Sequence, residues 1–464
     1  MMKLSRRNFL KASSALGLAS FMPQYIARPV VGQSVSERIR TAYIGLGMMG
    51  IGDAYGFNWQ SDIVALCDVD TKYGLATAIN AKIGRKVDGV WQEPAAYTDY
   101  RKILERNDID AIGVSTPDHW HTKISVEAMQ SGKHVFCQKP LTLTLEENIL
   151  IRNACKKYGK VFQIGTQQRS QREQFARAAL MVRKGLLGDI VRTTCIVDGG
   201  RTSPELSRAE VPETLDWNMW LGQAPLVNYM ASPDNQNPWT KQPIPHWSNC
   251  HIMFRWWFQY SGGRITDWGA HHVDCALWML GRQTPELVPI SYTPSNVTFL
   301  TDYKDGYPVK SNIFNTPVTY DIDCKFSDGT DFAIRSSAKD PNGILVEGTK
   351  GKIHVNRARI AGKIYDEGGW KTFTDEDYDG LYNGKRFEDH KANFFRCIRE
   401  GGTPVSDATT NILSMHVCHL SNIACRLNRP IQWDAVNEKI VGDEQAASFF
   451  SRKQRKGFEL PKVE

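Results

Sequence analysis

The residues Ile39-Arg40-Thr41-Ala42-Tyr43-Ile44-Gly45-Leu46-Gly47-Met48-Met49-Gly50 join a short apolar run to three glycines at the spacing Gly-x-Gly-x-x-Gly. Glycines at these positions let the chain turn tightly out of a strand, let the backbone approach a pyrophosphate, and let the next helix pack close to the strand. A second apolar run is followed by Asp68, eighteen residues after Gly50. A carboxylate there accepts hydrogen bonds from the adenosine ribose and repels a 2′-phosphate. The pattern predicts a site for NAD rather than NADP; the alternative is a glycine-rich turn of another α/β protein.

Predicted strands and helices alternate from this fingerprint to about residue 165, with further strands at 111–116, 134–137 and 161–164. Such alternation predicts a parallel sheet that binds ligands at the carboxyl ends of its strands. Two of those ends carry polar groups, in Thr116-Pro117-Asp118-His119-Trp120-His121 and in Gln138-Lys139-Pro140. A lysine at the second end is expected to project into the crevice where a nicotinamide lies.

The second half of the chain has a different pattern, because strands predicted at 318–326, 332–337 and 352–355 have no helices between them. This indicates an antiparallel sheet in an α+β domain. A chain of 464 residues also exceeds the roughly 250–300 residues that one core usually supports. We therefore expect an α/β protein with an N-terminal Rossmann domain at 37–165 and a C-terminal α+β domain with an open, largely antiparallel sheet at 166–440. Residues 441–464 are expected to be a C-terminal extension.

The N-terminus, residues 1–36, is predicted to be an export signal. Ser5-Arg6-Arg7-Asn8-Phe9-Leu10-Lys11 has the twin-arginine pattern and precedes an apolar stretch that is too short to span a bilayer. This indicates export by the twin-arginine machinery to the periplasm, with membrane anchoring if the segment is retained; the alternative is a basic amphipathic helix of the fold. Five basic residues before residue 30 account for five of the formal charge of +7, which leaves +2 for the rest. A nearly neutral body argues against nucleic acid as a partner.

A second cluster of polar residues lies in Gly262-Gly263-Arg264-Ile265-Thr266-Asp267-Trp268-Gly269-Ala270-His271-His272-Val273-Asp274. Asp267 and His271 are four residues apart, so on one helix they share a face. A carboxylate beside an imidazole fixes its tautomer and raises its basicity, which makes a general base for a hydroxyl group. The alternative is that Asp267 and Asp274 cap helix turns and that His271 is a core histidine.

These motifs together resemble the glucose–fructose oxidoreductase, inositol dehydrogenase and rhizopine-catabolism (Gfo/Idh/MocA) family, and specifically its exported twin-arginine branch. The resemblance rests on the glycine fingerprint with Asp68, the Thr116-Pro117 turn, the Lys139-Pro140 pair and the block that ends at His271. It implies that Lys139, Asp267 and His271 form the catalytic group and that the protein is a homo-oligomer. The chain departs from the family at Gln138, where the family usually has Glu; Gln keeps a hydrogen bond but not a charge, so Lys139 loses a potential counter-ion.

The resemblance also implies the binding residues, which we list in two sets. The expected cofactor contacts are Gly45, Gly47, Met48, Met49, Gly50, Asp68, Thr116, Pro117, His121, Lys139 and Gln168. The expected sugar contacts are His246, His251, Trp256, Trp257 and His272, with Trp239 as a further aromatic surface. For any one tryptophan, core packing is the alternative role.

The expected activity is NAD-dependent oxidation of a sugar or glycoside hydroxyl to a ketone, with His271 as the base and Asp267 orienting it. Because the periplasm lacks free nicotinamide cofactor, we expect NAD to travel tightly bound and to be recycled in place. Redox-neutral cleavage of a glycoside, by oxidation followed by elimination, is an alternative. A metal-dependent hydrolase built from the histidines at 119, 121, 251, 271 and 272, and a non-catalytic sugar binder, are two further alternatives.

Overall fold

The computed structural model describes residues 38–87, 90–234, 237, 244–337, 339, 341–382 and 386–463. The predicted export signal and Trp239 lie outside these residues. Within them, every helix is too short or too polar to cross a lipid bilayer.

The N-terminal domain is built on a parallel sheet of six described strands. These strands are β1 (Arg40–Ile44), β2 (Asp62–Cys67), β3 (Ala95–Tyr97), β4 (Ala111–Val114), β5 (His134–Cys137) and β6 (Phe162–Ile164). Their order is β3-β2-β1-β4-β5-β6, and every neighbouring pair is parallel. The strand order reverses between β1 and β4, and this is where a doubly wound sheet opens a crevice for a dinucleotide. The predicted Rossmann domain is confirmed.

Glycines set the geometry at the start of this domain. Gly45 has φ +85°, and a Cβ atom there would come 2.6 Å from the backbone of Ser115. A Cβ on Gly50 would come 1.9 Å from the carbonyl oxygen of Gly45. The first and third glycines of the fingerprint are therefore required by the close approach of β1, β4 and the first helix.

Helices flank both sheets. They are α1 (Met48–Gln60), α2 (Thr77–Asn80), α3 (Arg101–Leu104), α4 (Asp118–Gln130), α5 (Leu145–Tyr158), α6 (Arg177–Arg183), α7 (Trp217–Leu221), α8 (Gly263–Asp267), α9 (Gly269–Met279), α10 (Lys363–Asp366), α11 (Asp375–Gly380), α12 (His390–Glu400), α13 (Ala408–Leu427) and α14 (Glu444–Ala447). The sequence of residues 97–106 by itself predicts one helix, but only α3 is helical there, because Tyr97 pairs with Cys67 in the sheet.

The C-terminal domain contains a second sheet of nine described strands. They are β7 (Ile190–Ile196), β8 (Ser291–Thr298), β9 (Thr319–Lys325), β10 (Asp331–Arg335), β11 (Gly343–Gly348), β12 (Gly351–Val355), β13 (Ile360–Ala361), β14 (Ile431–Asp434) and β15 (Lys439–Ile440). The order is β13-β12-β11-β7-β10-β9-β8-β14-β15, and among these pairs only β7 and β10 run parallel. The expected largely antiparallel sheet is confirmed. Helices α9 and α13 pack together and cover one face of it.

The end of the chain packs back onto the rest of the molecule. Arg455 donates to the carbonyl oxygen of Gly222 at 2.9 Å, and the Phe458 ring lies edge-on to Trp120, 6.0 Å between centroids. Because Trp120 belongs to α4 and Gly222 follows α7, the predicted C-terminal extension ties the two domains together beside the crevice.

Candidate active site

A cavity of about 410 Å³ lies at the carboxyl ends of β1, β2, β4 and β5, where the C-terminal domain closes over the parallel sheet. The glycine-rich loop lines one end of it. Helix α8 lines the other end, and the helical turn His251–Trp256 borders the cavity from His251, beside Asp70, to Trp256, beside Arg264. The volume is in the range of sites that bind small molecules and cofactors.

The glycine-rich end of the cavity fits a dinucleotide. Gly47, Met48 and Met49 line it, and a Cβ on Gly47 would meet its nearest atom, in the Tyr73 ring, only at 3.9 Å. The N-cap of α1 is Gly47, which brings no side chain to the first turn, so the backbone N–H groups there can face an anion. Gly45 also lines the cavity, whereas Gly50 is buried behind it and serves helix packing.

Asp68 lies at this same end of the cavity. One carboxylate oxygen accepts a hydrogen bond from the backbone N–H of Leu46 at 2.6 Å, and the other accepts from the N–H of Asp70 at 2.8 Å. Burial raises the pKa of Asp68 to about 6, against the effect of these two donors. The carboxylate therefore braces the glycine-rich loop from the position expected for a ribose contact.

The end of β4 is organised by a buried histidine. Thr116 and Pro117, which are expected to contact the cofactor, line the cavity. The two ring nitrogens of His121 lie 2.6 Å from the carbonyl oxygen of Pro140 and 2.9 Å from that of Thr116. His121 therefore holds the ends of β4 and β5 together behind the cavity wall, and the prediction that it contacts the cofactor is corrected.

Lys139 forms an ion pair with Asp267 in the middle of the cavity, with 2.5 Å between Nζ and Oδ1. Asp267 also lies 3.4 Å from Arg255 Nε and 3.3 Å from Arg264. Burial opposes ionisation of Asp267, but Lys139 and Arg255 hold its pKa far below the usual range. Arg255 continues the network by binding both carboxylate oxygens of Asp118, at 2.7 and 2.8 Å.

This network supplies Lys139 with a counter-ion that does not come from position 138. The carboxylate comes from Asp267, which follows Lys139 by more than a hundred residues in the sequence. Gln138 instead forms a hydrogen bond with the first helix: its amide nitrogen donates to the carboxylate of Asp53 at 2.5 Å. The Gln138 amide also packs against Gly165, where a Cβ would come within 2.6 Å of it.

The predicted pairing of Asp267 with His271 does not form. Helix α8 ends at Asp267 and α9 begins at Gly269, so Trp268 interrupts the single helix on which the prediction rested. His271 lines the cavity, and its Nδ1 atom is buried without a hydrogen-bond partner among the described residues. Burial, Lys139 and Arg357 together hold the pKa of His271 well below its usual value. His271 is therefore a neutral imidazole at ordinary pH.

Trp256 and His251 line the cavity, but His251 does so at the nucleotide end. Its Nε2 lies 3.0 Å from the carboxylate of Asp70, and its ring is edge-on to Tyr73. The expectation that His251 contacts the sugar is therefore corrected. Trp256 lines the same cavity as Lys139 and His271, and its contact with a sugar stays a prediction.

Four other predicted contacts lie outside the cavity lining. Trp257 is in the core and donates to the carbonyl oxygen of Ser248, and His272 contacts Asn342 at 2.8 Å. Gln168 lies behind α9, where its amide group is 3.2 Å from both the carbonyl oxygen of His271 and Arg357 Nε; the amide orientation that satisfies both places its nitrogen toward His271. His246 lies 3.5 Å from Asp234. Trp257, Gln168 and His272 have protein partners outside the cavity lining, which corrects their expected ligand contacts, whereas the expected contact of His246 stays a prediction.

Several cavity residues were not found from the sequence. They are cationic or aromatic: Arg201, Arg255, Arg264, Arg357 and Trp268. Arg264 and Trp268 lie inside the sequence block around Asp267, so their closeness to Asp267 in the sequence could have indicated that they belong to the site. Arg201 and Arg357 lie in loops after β7 and β12 and belong to no motif.

The histidines considered as metal ligands are dispersed. His119 contacts the carbonyl oxygen of Trp220 at 3.0 Å, while His121, His251 and His272 have the separate partners described above. Across the described residues, no three His, Cys, Asp or Glu side chains are grouped as a metal site requires.

Comparison with protein families agrees with the fold and with the nucleotide end of the cavity. Residues 39–166 match a family model described as an oxidoreductase family with an NAD-binding Rossmann fold. Residues 199–460 match the model of the oxidoreductase family's C-terminal alpha/beta domain. The fold and the cavity therefore define an NAD-dependent oxidoreductase. The chain belongs to the Gfo/Idh/MocA oxidoreductase family.

Curated relatives match over a shorter length. A glycosyl hydrolase family 109 protein of Shewanella baltica is 30% identical over 210 residues, which are 41% of this chain and 45% of the relative. An alpha-N-acetylgalactosaminidase of Shewanella oneidensis matches with the same identity and the same coverage. The matches thus span less than half the length of these relatives.

Solved structures resemble the chain over most of its length. The WlbA dehydrogenase from Bordetella pertussis, solved in complex with NADH and UDP-GlcNAcA, has a TM-score of 0.56 and 16% identity over 87% of this chain and 99% of that one. At this identity the likeness concerns the fold.

Proposed function

We propose that the protein oxidises a hydroxyl group of a sugar or glycoside to a ketone. The observation that carries the proposal is that Lys139 and His271 line the same cavity as the glycine-rich loop, beside the indole rings of Trp256 and Trp268. Gly45, Gly47 and Asp68 are the residues that would hold NAD, which when bound supplies the acceptor for the hydride.

The residues of the chain supply charge stabilisation, proton transfer and a surface for the sugar ring. The Lys139 ammonium, held by Asp267, donates a hydrogen bond to the reacting oxygen and stabilises the negative charge that develops on it. The neutral imidazole of His271 accepts the hydroxyl proton. Asp267 is a positioning residue for Lys139. The flat faces of Trp256 and Trp268 pack against the C–H groups of a sugar ring.

The test of this proposal is the absorbance near 340 nm when sugars and glycosides are added to the purified protein with NAD. We expect a rise with the substrate, and a His271→Gln variant that reacts about 10²–10⁴-fold more slowly because it cannot accept the proton. His272→Gln is the matched control, since His272 lies behind the cavity and contacts Asn342. Full activity of His271→Gln would show that another group is the base. A protein that neither contains nor binds NAD would end the proposal.

We also propose that the nucleotide stays bound and is recycled after export. Support comes from the brace that Asp68 makes on the glycine-rich loop and from the C-terminal segment that ties the domains beside the cavity. Denaturation of the extensively dialysed protein should release about one NAD or NADH per chain, measured by chromatography. Release of nucleotide during dialysis would contradict this.

A second candidate function is redox-neutral cleavage of a glycoside, which the glycosyl hydrolase relatives favour. Oxidation of a ring hydroxyl to a ketone acidifies the adjacent C–H bond. A base then removes that proton, the glycosidic oxygen leaves with the bonding electrons, water adds to the double bond, and the ketone is reduced again. In D₂O this route releases the aglycone, places deuterium on the ring carbon and produces no net NADH. Simple oxidation instead yields a ketone and net NADH, so the two products separate the candidates.

The cellular location of the protein is a further proposal. The twin-arginine pattern at Arg6 and Arg7 supports export to the periplasm. Changing both residues to Lys should retain the protein in the cytoplasm, as measured by cell fractionation, while unchanged export would contradict the proposal.

We also propose that the protein is a homo-oligomer. Light scattering of the purified protein measures its molar mass, and a mass equal to that of one chain would contradict this proposal.

A further inference from the structure

Three arginines meet around the two tryptophan rings that line the cavity. We call Arg201, Arg264 and Arg357 the arginine cluster; all three line the cavity that holds Lys139 and His271. They come from the loop after β7, from α8 and from the turn after β12. Three separate elements of the C-terminal domain thus bring guanidinium groups to one place.

Two indole rings join the cluster into one surface. The guanidinium carbons of Arg201 and Arg264 lie 6.0 and 5.9 Å from the centroid of the Trp256 ring. Those of Arg264 and Arg357 lie 6.0 and 4.6 Å from the Trp268 ring. The cations therefore surround the aromatic faces on which a sugar ring packs in the proposed function.

Carboxylates at this end of the cavity are already engaged. Asp267 bonds Lys139 most closely and lies 3.3 Å from Arg264, while Asp118 is bound by Arg255. Among the described residues, Arg357 has no carboxylate within ion-pair distance, and its polar partner is the amide of Gln168. The Nε atom of Arg264 is buried and has no hydrogen-bond partner among the residues that the structure describes.

Positive charge in this setting favours an anionic ligand. Partial burial and the neighbouring Arg264 both lower the pKa of Arg201, and partial desolvation lowers the pKa of Arg357, although its side chain is still exposed. Arg201 and Arg264 are partly buried and Arg357 is exposed, so a bound anion would compensate two partly desolvated charges and gain a third guanidinium as a donor. The planar guanidinium fork matches the oxygen atoms of carboxylate and other oxyanions.

We propose that the sugar carries an oxyanion, either a carboxylate or a sulfate ester, which binds to Arg201, Arg264 and Arg357 while its ring packs on Trp256 and Trp268. This rests on the proposed function, since the reacting hydroxyl is placed at Lys139 and His271. The cluster is distinct from the pyrophosphate position, because the latter is made by the N–H groups at the start of α1 in the N-terminal domain.

The oxyanion also acts on the base. Arg357 is one of the cations that lower the pKa of His271. An oxyanion bound to Arg357 offsets part of that positive field. The correct substrate therefore raises the proton affinity of the imidazole that receives the hydroxyl proton.

The test compares charged and neutral sugars on the protein with its NAD. Calorimetry measures binding of D-glucuronate, D-galacturonate, D-glucose 6-sulfate, D-galactose 6-sulfate and the neutral parents D-glucose and D-galactose. We expect an acidic sugar to bind at least about tenfold more tightly than its neutral parent, and less so at high salt. Preference for the uronates identifies a carboxylate as the anion, and preference for the sulfates identifies a sulfate ester.

Variants locate the effect. Arg357→Gln should weaken binding of the acidic sugar by about tenfold to a hundredfold and leave its neutral parent unchanged, because one charged hydrogen-bonding group is lost. Arg201→Gln should act in the same direction. Arg359→Gln is the matched control, since Arg359 is exposed like Arg357 and lies two residues away, but is outside the cavity lining. Circular dichroism of each variant checks that it is folded.

The outcomes separate this inference from the proposed function. Charged sugars that bind no more tightly than their neutral parents, or an Arg357→Gln variant that weakens both equally, would overturn the oxyanion site. If neutral glycosides then produce NADH, oxidation of sugars stands without it. If acidic sugars bind through Arg357 and every sugar and glycoside leaves the absorbance near 340 nm unchanged, the anion site stands and the oxidation fails.

Discussion

Replacing Asp267 by Asn removes a negative charge that three cations share. The Asp267 carboxylate is 2.5 Å from Lys139, 3.3 Å from Arg264 and 3.4 Å from Arg255, and its side chain is only 13% exposed. The substitution keeps the shape and one oxygen acceptor. It leaves Lys139 buried without its counter-ion, so the main effect is electrostatic.

The expected magnitude follows from this burial. Removal of one partner from a buried ion pair costs about 3–5 kcal/mol. Because Asn keeps an acceptor and the site borders a cavity, we expect the lower end, about 3 kcal/mol. For a chain of this size that corresponds to a fall in Tm on the order of 5 °C. In the double variant Lys139→Met with Asp267→Asn, the uncompensated ammonium is gone, so the loss should be smaller than the sum of the single losses by about 1–3 kcal/mol.

Differential scanning calorimetry of the two single variants and the double variant measures this coupling. Asp323→Asn is the matched control, because Asp323 also pairs with two arginines but is 55% exposed, and it should cost less than about 1 kcal/mol. The pKa of Asp267 is depressed in the folded protein, so its contribution is complete above its unfolded pKa of about 3.9 and is lost only as the pH falls below that. The Tm difference between wild type and Asp267→Asn should therefore be constant from about pH 5.5 to 8. Additive single losses, or a shift no larger than that of the control, would refute the reasoning.

Three further predictions concern the nucleotide end and the C-terminal segment. NAD should bind more weakly below about pH 6, because burial raises the pKa of Asp68 to about 6 and ribose hydroxyls donate to the carboxylate; calorimetry at pH 5 and 7.5 should find this dependence absent in Asp68→Asn. Gly50→Ala should lower Tm and NAD affinity, since its Cβ meets a carbonyl oxygen at 1.9 Å, whereas Gly52→Ala has open space and should be neutral or stabilising by up to about 1 kcal/mol. Arg455→Ala should speed hydrogen exchange over residues 451–463, because Arg455 holds this segment to Gly222, and unchanged exchange would contradict that role.

Much of the fold was accessible from the sequence because it depends on local rules. A glycine spacing predicts a tight turn and a close approach wherever it follows a strand, and parallel strands present their carboxyl ends at one edge. Lys139, Thr116 and the glycine loop were therefore expected at one crevice, and they line one cavity. Helix boundaries were harder to predict from the sequence. Tyr97 was expected in a helix, but it belongs to the edge strand of the sheet, where it pairs with Cys67.

The amino-acid sequence alone thus determined the class of fold, the nucleotide end of the site and the lysine at the end of β5, since each follows from residues close together in the chain. Only the tertiary structure decided the partner of Lys139. The spacing of Asp267 and His271 favoured a pair on one helix, yet the break at Trp268 and the attraction of three cations turn the carboxylate to Lys139. The arginine cluster likewise exists only after folding, because Arg201, Arg264 and Arg357 belong to separate elements whose distance along the chain carries no information about their distance in space.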